Sequence, residues 1–293
     1  MTVRIPEFQL AATTHTGMVA LKVADLETVA TFYQEVIGLT ILKQDAQEAI
    51  LGTPDAIPLL VLQKIAQPLP LSRRTGLYHV AFLLPSRAAL GDALLHYLTV
   101  KAPLLGASDH GYSEALYLSD PEGNGIEVYR DKPVSDWDIR ADGEIVGVTI
   151  EMDAQGVMAE ATRNWTGFPK GTTVGHVHLK IADLVKTEDF YTDVLGLSLK
   201  NNYGDQAKFF ATGTYHHHIG SNIWMGNHIP AMAEQDLGLA YYAFYVADQA
   251  ELARIASHWQ SKKISFETDS KGSLWVLDPN GIRIKFELQP SVH

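Results

Sequence analysis

The sequence predicts an α+β protein built from four β-α-β-β-β modules, and two internal repeats carry that expectation. "MVALKVADLETVATFYQEVIGL", from Met18, and "HVHLKIADLVKTEDFYTDVLGL", from His176, are identical at 11 of 22 positions at a constant offset of 158 residues. "GLYHVAFLLP", from Gly76, matches "GLAYYAFYVA", from Gly238, in the same order along the chain. Self-similarity at a fixed spacing marks a duplicated structural unit. With 293 residues, 46% of them hydrophobic, the chain can bury more than one core.

Module one, residues 16–64, reads as an alternating strand, an Asp-started amphipathic helix that contains Phe-Tyr and ends at Gly, and three short strands, "LTILKQ", "EAILG" and "PLLVLQK". Module two, 75–131, runs from "GLYHVAFLLP" through the helix "SRAALGDALLHYLT" to "LYLSDPEGNGIEVY", where Pro and Gly make a hairpin turn. Module three, 174–226, repeats module one and closes with "LSLKNN", "AKFFATG" and "HIGSNIWMG". Module four, 237–289, repeats module two and closes with "LWVLDPNGIRIKF". Residues 1–135 and 174–293 are thus two duplicated halves, and the acidic segment 136–173 reads as the linker between them, with a little structure of its own.

Composition narrows the function. The chain has no cysteine, which removes disulfides, thiolate nucleophiles and iron–sulfur clusters, so a metal site must be built from His, Asp and Glu. A net charge of -11 with no basic patch argues against nucleic acid as a partner. No apolar run is long enough to span a membrane and the first residues lack a secretory signal's apolar stretch, so the cytoplasm is the expected location. A small-molecule ligand fits these limits.

Four such modules resemble the vicinal oxygen chelate superfamily, which includes glyoxalases, fosfomycin- and bleomycin-resistance proteins, and type I extradiol dioxygenases. The resemblance covers nearly the whole chain and implies modules pairing into two half-open β-barrels, with a divalent metal inside. Because one fold hosts many functions, activity must be argued from the site.

The repeat lets each metal position be read several times. On the first strands the comparable residues are Met18, His79, His176 and Tyr241; on the last strands, six residues after the turn proline, module two has Glu127 and module four Lys285. His79, His176 and Glu127 together make the 2-His-1-carboxylate set of non-haem Fe(II) enzymes. Each alone would be a hydrogen-bonded core histidine or a solvated strand end. One ion shared by all three requires modules two and three to form one barrel and leaves modules one and four to form a metal-free one. His178 lies two residues beyond His176 on the same strand face.

"DHGYSEALYLSDPEGNGIEVY" resembles the extradiol ring-cleavage signature through His110, Leu116, Tyr117, Pro121, Gly123 and Glu127, with Ser108 departing from it two residues before the histidine. "YHHHIGSN", from Tyr215, resembles the segment carrying the active-site base, with His217 the best-matched position; strand alternation would turn His216 and His218 the other way. The whole pattern is similar to the Bacillus-type catechol 2,3-dioxygenase group. That resemblance implies a catechol-like substrate and dioxygen at Fe(II), with Mn(II), Zn(II) or Ni(II) as alternatives. It implies His217 as the base, Tyr117 bonding a substrate oxygen and His110 orienting the substrate. Two other readings stay open: a glyoxalase-like isomerase or thiol transferase, which takes four protein ligands, and a non-enzymatic resistance-type binding protein. A homo-oligomer is compatible with all three.

Overall fold

The structure, a computed structural model, describes residues 3–70 and 72–290. Module one comprises β1 (His15–Val23), α1 (Leu26–Thr31), β2 (Thr40–Gln44), β3 (Glu48–Gly52) and β4 (Pro58–Lys64). Module two comprises β5 (Gly76–Leu83), α2 (Arg87–Thr99), β6 (Leu104–Asp109), β7 (Ser113–Ser119) and β8 (Gly125–Asp131). In the connector lie β9 (Ile150–Glu151) and α3 (Ala154–Ala159). Module three follows with β10 (Thr173–Lys180), α4 (Leu184–Asp189), β11 (Ser198–Tyr203), β12 (Ala207–Ala211) and β13 (Ile219–Asn222), and module four with β14 (Gly238–Val246), α5 (Gln249–Ser261), β15 (Glu267–Thr268), β16 (Leu274–Leu277) and β17 (Arg283–Leu288).

The repeated helix has local causes. Asp25 and Asp183 cap α1 and α4 by accepting backbone N–H bonds in the first turn, and both helices run on into a π-helical turn that holds the Phe-Tyr pair. Gly38, at φ 105°, ends the first, a left-handed conformation that favours glycine. The buried Tyr33 donates its hydroxyl to Asp120 Oδ2 at 3.4 Å, and 158 residues later Tyr191 donates to Asp278 Oδ2 at 3.3 Å. The Tyr of one module's helix is thereby tied to the hairpin-turn aspartate of the next, which explains why both motifs recur together: a buried hydroxyl needs a partner.

The strands form two sheets, in the orders β15-β16-β17-β14-β1-β4-β3-β2 and β11-β12-β13-β10-β5-β8-β7-β6-β9. Modules one and four build the first, and modules two and three the second, the pairing that a shared His79, Glu127 and His176 site requires. At each junction the first strands of two modules run antiparallel, with Ala20 opposite Tyr241 in one sheet and His79 opposite His178 in the other. Apolar side chains such as Val19, Leu21, Leu60, Val80, Phe82, Leu179 and Phe244 fill one continuous core between sheets and helices. Each such residue contributes about 1.5–3 kcal/mol through removal from water.

One expectation is extended and one is corrected. The connector is more than a linker: β9 adds an edge strand to β6, α3 packs on α2, and Trp165 stacks on His96 at a ring-centroid distance of 4.4 Å. In module three the last strand is only Ile219–Asn222, so His216, His217 and His218 lie in the loop before it and strand alternation does not set their directions.

Candidate active site

Three central strands of the nine-stranded sheet bring the predicted ligands together. On β10, His176 lies opposite Ala81 of β5, and on β8, Glu127 lies opposite the same Ala81, so both are diagonal neighbours of His79. Gly125 is His79's direct partner, and a Cβ there would collide with the Tyr78 carbonyl oxygen and His79 Cβ. Glycine lets β8 close on β5 at this point.

The three donor atoms sit at the corners of a small triangle. His79 Nε2 is 3.0 Å and His176 Nε2 3.3 Å from Glu127 Oε2, and the two nitrogens are 3.2 Å apart. All three residues are buried. Burial pushes the Glu127 carboxyl up, but His176 and His79 outweigh it and hold it well below the usual carboxylate range. Burial lowers His176 to about 4 against the pull of Glu127. Near neutral pH the triangle is therefore a carboxylate with a neutral His176 imidazole beside it, the protonation state a cation needs. Right-angled bonds of about 2.1 Å would put ligand atoms about 3 Å apart, so the spacing fits three ligands on one face of a single divalent ion.

A cavity of about 790 Å³ opens over this triangle. His217 reaches it from the loop before β13, its ring 4.3 Å from that of His176. Tyr117, on β7, is the direct cross-strand partner of Glu127. Its hydroxyl lies 2.5 Å from His110 Nε2, and His110 Nδ1 lies 2.8 Å from the Val148 carbonyl oxygen. A carbonyl only accepts, so His110 carries its proton on Nδ1 and Tyr117 donates to Nε2. Burial and the neighbouring Glu127 push the Tyr117 hydroxyl well above its ordinary pKa, so it stays protonated. Tyr78, Phe209, Trp224 and Met225 supply apolar and aromatic wall.

The histidine cluster divides. His216 is turned from this cavity toward Asp131, with Nε2 2.9 Å from Oδ1. His218 lines a separate cavity of about 360 Å³ and accepts from the Thr212 N–H. His178 lines the main cavity with its ring over Gly220 and its buried Nε2 without a hydrogen-bond partner among the described residues. Sequence reasoning missed Gly147, Val148 and Thr149, connector residues that form part of the cavity wall, because the segment has no periodicity to mark it.

The other barrel lacks this donor set among the described residues. There the cross-strand pair equivalent to Tyr117 and Glu127 is Trp275 and Lys285, with the Lys285 ammonium 2.7 Å from Glu287 and 5.3 Å over the Trp275 ring. An ammonium there would repel a divalent cation.

Comparison with known proteins finds relatives of both halves of the chain. A glyoxalase-like domain family matches residues 18–129, and the glyoxalase/bleomycin resistance protein/dioxygenase superfamily matches 173–286. A catechol-2,3-dioxygenase of Bacillus subtilis (strain 168) is 41% identical over 278 residues, spanning 93% of this chain and 97% of the relative. The chain belongs to the vicinal oxygen chelate superfamily, the glyoxalase/bleomycin resistance protein/dioxygenase group. Within the superfamily it is an enzyme, an oxidoreductase like catechol 2,3-dioxygenase. Solved vicinal oxygen chelate structures share the fold at low identity. A dioxygenase-type protein from Bacillus subtilis subsp. subtilis str. 168 aligns with a TM-score of 0.62 at 14% identity, covering 94% of this chain and 86% of that one. Glyoxalase I from Zea mays aligns with a TM-score of 0.58 at 13% identity, covering 94% and 93%. No helix among the described residues is long and apolar enough to cross a membrane.

Proposed function

We propose that the chain is an extradiol ring-cleaving dioxygenase that opens a catechol-like diol with dioxygen at Fe(II) held by His79, Glu127 and His176. The observation that carries this reading is the cavity itself, in which the three donor atoms converge with His217 on one side and Tyr117 with His110 on the other. Bound there, Fe(II) would supply Lewis-acid polarisation of the diol oxygens and the one-electron chemistry with dioxygen that side chains lack.

The chain's residues do the rest. His217 faces the diol across from Tyr117 and accepts a hydroxyl proton at its cavity-side nitrogen. Tyr117, its own proton committed to His110, accepts a hydrogen bond from the diol, and the Val148 carbonyl holds His110 in the tautomer that permits this. The aromatic wall stacks on the ring and keeps water from the reacting oxygens.

The glyoxalase-like alternative needs a second carboxylate from module three. On β13 the register equivalent to Glu127 is held by Gly220, opposite His178, and the His178 ring occupies the space above it. That position speaks for three ligands rather than four.

Anaerobic loading with Fe(II), followed by air and catechol, tests the reading. A yellow ring-opened semialdehyde is expected. No colour from a panel of catechols, at a verified one iron per chain, overturns it.

A further inference from the structure

The structure ties His217 into a hydrogen-bonded chain that leads away from the cavity. His217 Nδ1 lies 2.8 Å from His216 Nδ1, His216 Nε2 lies 2.9 Å from Asp131 Oδ1, Asp131 Oδ2 accepts from the Tyr215 hydroxyl at 3.0 Å, and the Tyr215 and Tyr129 hydroxyls are 2.9 Å apart. With both imidazoles neutral, donor and acceptor rules place the protons along this chain. A carboxylate accepts only, so His216 gives Asp131 its Nε2 proton and is left with an unprotonated Nδ1. The 2.8 Å contact between the two Nδ1 atoms then requires the proton to be on His217. His217 Nε2, on the far edge of the ring, carries a lone pair, lines the cavity and has no protein partner among the described residues.

The chain is also fixed in place. His216 is stacked on Tyr112 at a centroid distance of 4.3 Å and 13° between planes, and it meets the edge of Trp137 at 5.3 Å. Trp137 comes from the connector and is itself held by its indole N–H donating to the Lys132 carbonyl. Nothing equivalent stands in module one, where the residues 158 positions earlier are Pro58, Leu59 and Leu60.

We propose that Asp131 and His216 are positioning residues that lock His217 as the Nδ1-protonated tautomer and aim its unprotonated Nε2 at the diol. Asp131 acts through His216 rather than on the substrate, and the Tyr215 hydroxyl, itself bonded to that of Tyr129, keeps its second oxygen occupied. The catalytic meaning of the lock rests on the ring-cleavage reading above; the tautomer itself does not.

Nitrogen-15 NMR of the metal-free full chain reads the tautomer directly, with the His217 signals assigned by their absence in His217→Asn. The wild type should show His217 protonated at Nδ1. Asp131→Leu, which removes the acceptor, and His216→Phe, which keeps an aromatic ring against Tyr112, should shift His217 toward the Nε2-protonated form. In the iron-loaded enzyme both should retain iron and the KM for catechol while kcat falls about 10- to 100-fold, up to the lower end of general acid–base effects. Asp131 is partly exposed, so Asp131→Leu reports even if His216→Phe fails to fold. Wild-type His217 protonated at Nε2, or an unchanged tautomer and kcat in Asp131→Leu, overturns the proposal. A locked tautomer in a chain that cleaves no catechol would sink the ring-cleavage reading and leave the lock standing.

Discussion

Tyr117 and Glu127 face each other directly across the β7–β8 ladder, on the face of the sheet that lines the cavity. In the other barrel Trp275 and Lys285 face each other across β16–β17 in the same way. One register thus holds a carboxylate and a phenol in one sheet and an indole and an ammonium in the other, so among the described residues the candidate metal group lies in modules two and three.

Glu127 supplies the one carboxylate of the proposed metal triangle, and its loss leaves only imidazoles to hold a divalent cation. Glu127→Ala should weaken metal retention by about 100-fold or more, beyond what losing an outer-shell partner costs. Metal content after gel filtration checks this, and wild-type content would mean that the site is misplaced.

Tyr117 bonds His110 and touches no proposed ligand atom of the ion beyond its neighbour Glu127. Tyr117→Phe should keep the metal and lose about 2- to 10-fold in kcat, the equivalent of one neutral hydrogen bond at about 0.5–1.5 kcal/mol. Steady-state kinetics at verified iron content decides it.

Stoichiometry follows from the two registers. The loaded protein should hold one ion per chain, and Lys285→Ala should leave that number unchanged, because Met18 and Tyr241 offer no ligands in the other barrel. Two ions per chain by elemental analysis would contradict the assignment of modules one and four as scaffold.

Gly220 makes room for His178: a Cβ there would lie 2.9 Å from the His178 ring. Gly220→Ala should cost about 1–3 kcal/mol by overpacking. Urea unfolding of the metal-free protein measures it, and an unchanged midpoint would show that the ring can move aside.

The buried histidines fix a pH dependence. Burial lowers His176 to about 4 and His218 to about 3, and holds His178 and His217 well below their ordinary value. All four titrate near 6.5 when unfolded. Between about pH 6.5 and 4 the unfolded chain therefore binds more protons than the folded one, and stability falls as pH falls. Above that window the contribution is complete and flat. Each histidine costs up to about 1.4 kcal/mol per pH unit within it. The Tm of the metal-free protein should be level from about pH 7 upward and drop steeply toward pH 5; a Tm unchanged between pH 7 and 5 contradicts this.

Much of this was legible in the sequence because the chain is duplicated. The offset of 158 residues exposed the modules, and comparing Glu127 with Lys285 and His176 with Met18 picked out which copies could hold a metal. Geometry that depends on the connector was not legible. Val148 orients His110, and Trp137 braces His216, through an aperiodic segment whose role appears only once it has wrapped module two. The opposed directions in "YHHH", with His217 toward the cavity and His216 and His218 away from it, match the sequence expectation, but contacts to Asp131 and Thr212 set them, since the loop before β13 follows no strand alternation.

Ring cleavage outside the diol at His79, Glu127 and His176 is tested most directly by exposing the Fe(II)-loaded chain with bound catechol to isotopically labelled dioxygen and identifying the product by mass spectrometry. The expected product is a ring opened beside the diol that carries the label. Unreacted catechol, or a product cleaved between the two hydroxyls, at one verified iron per chain would contradict it.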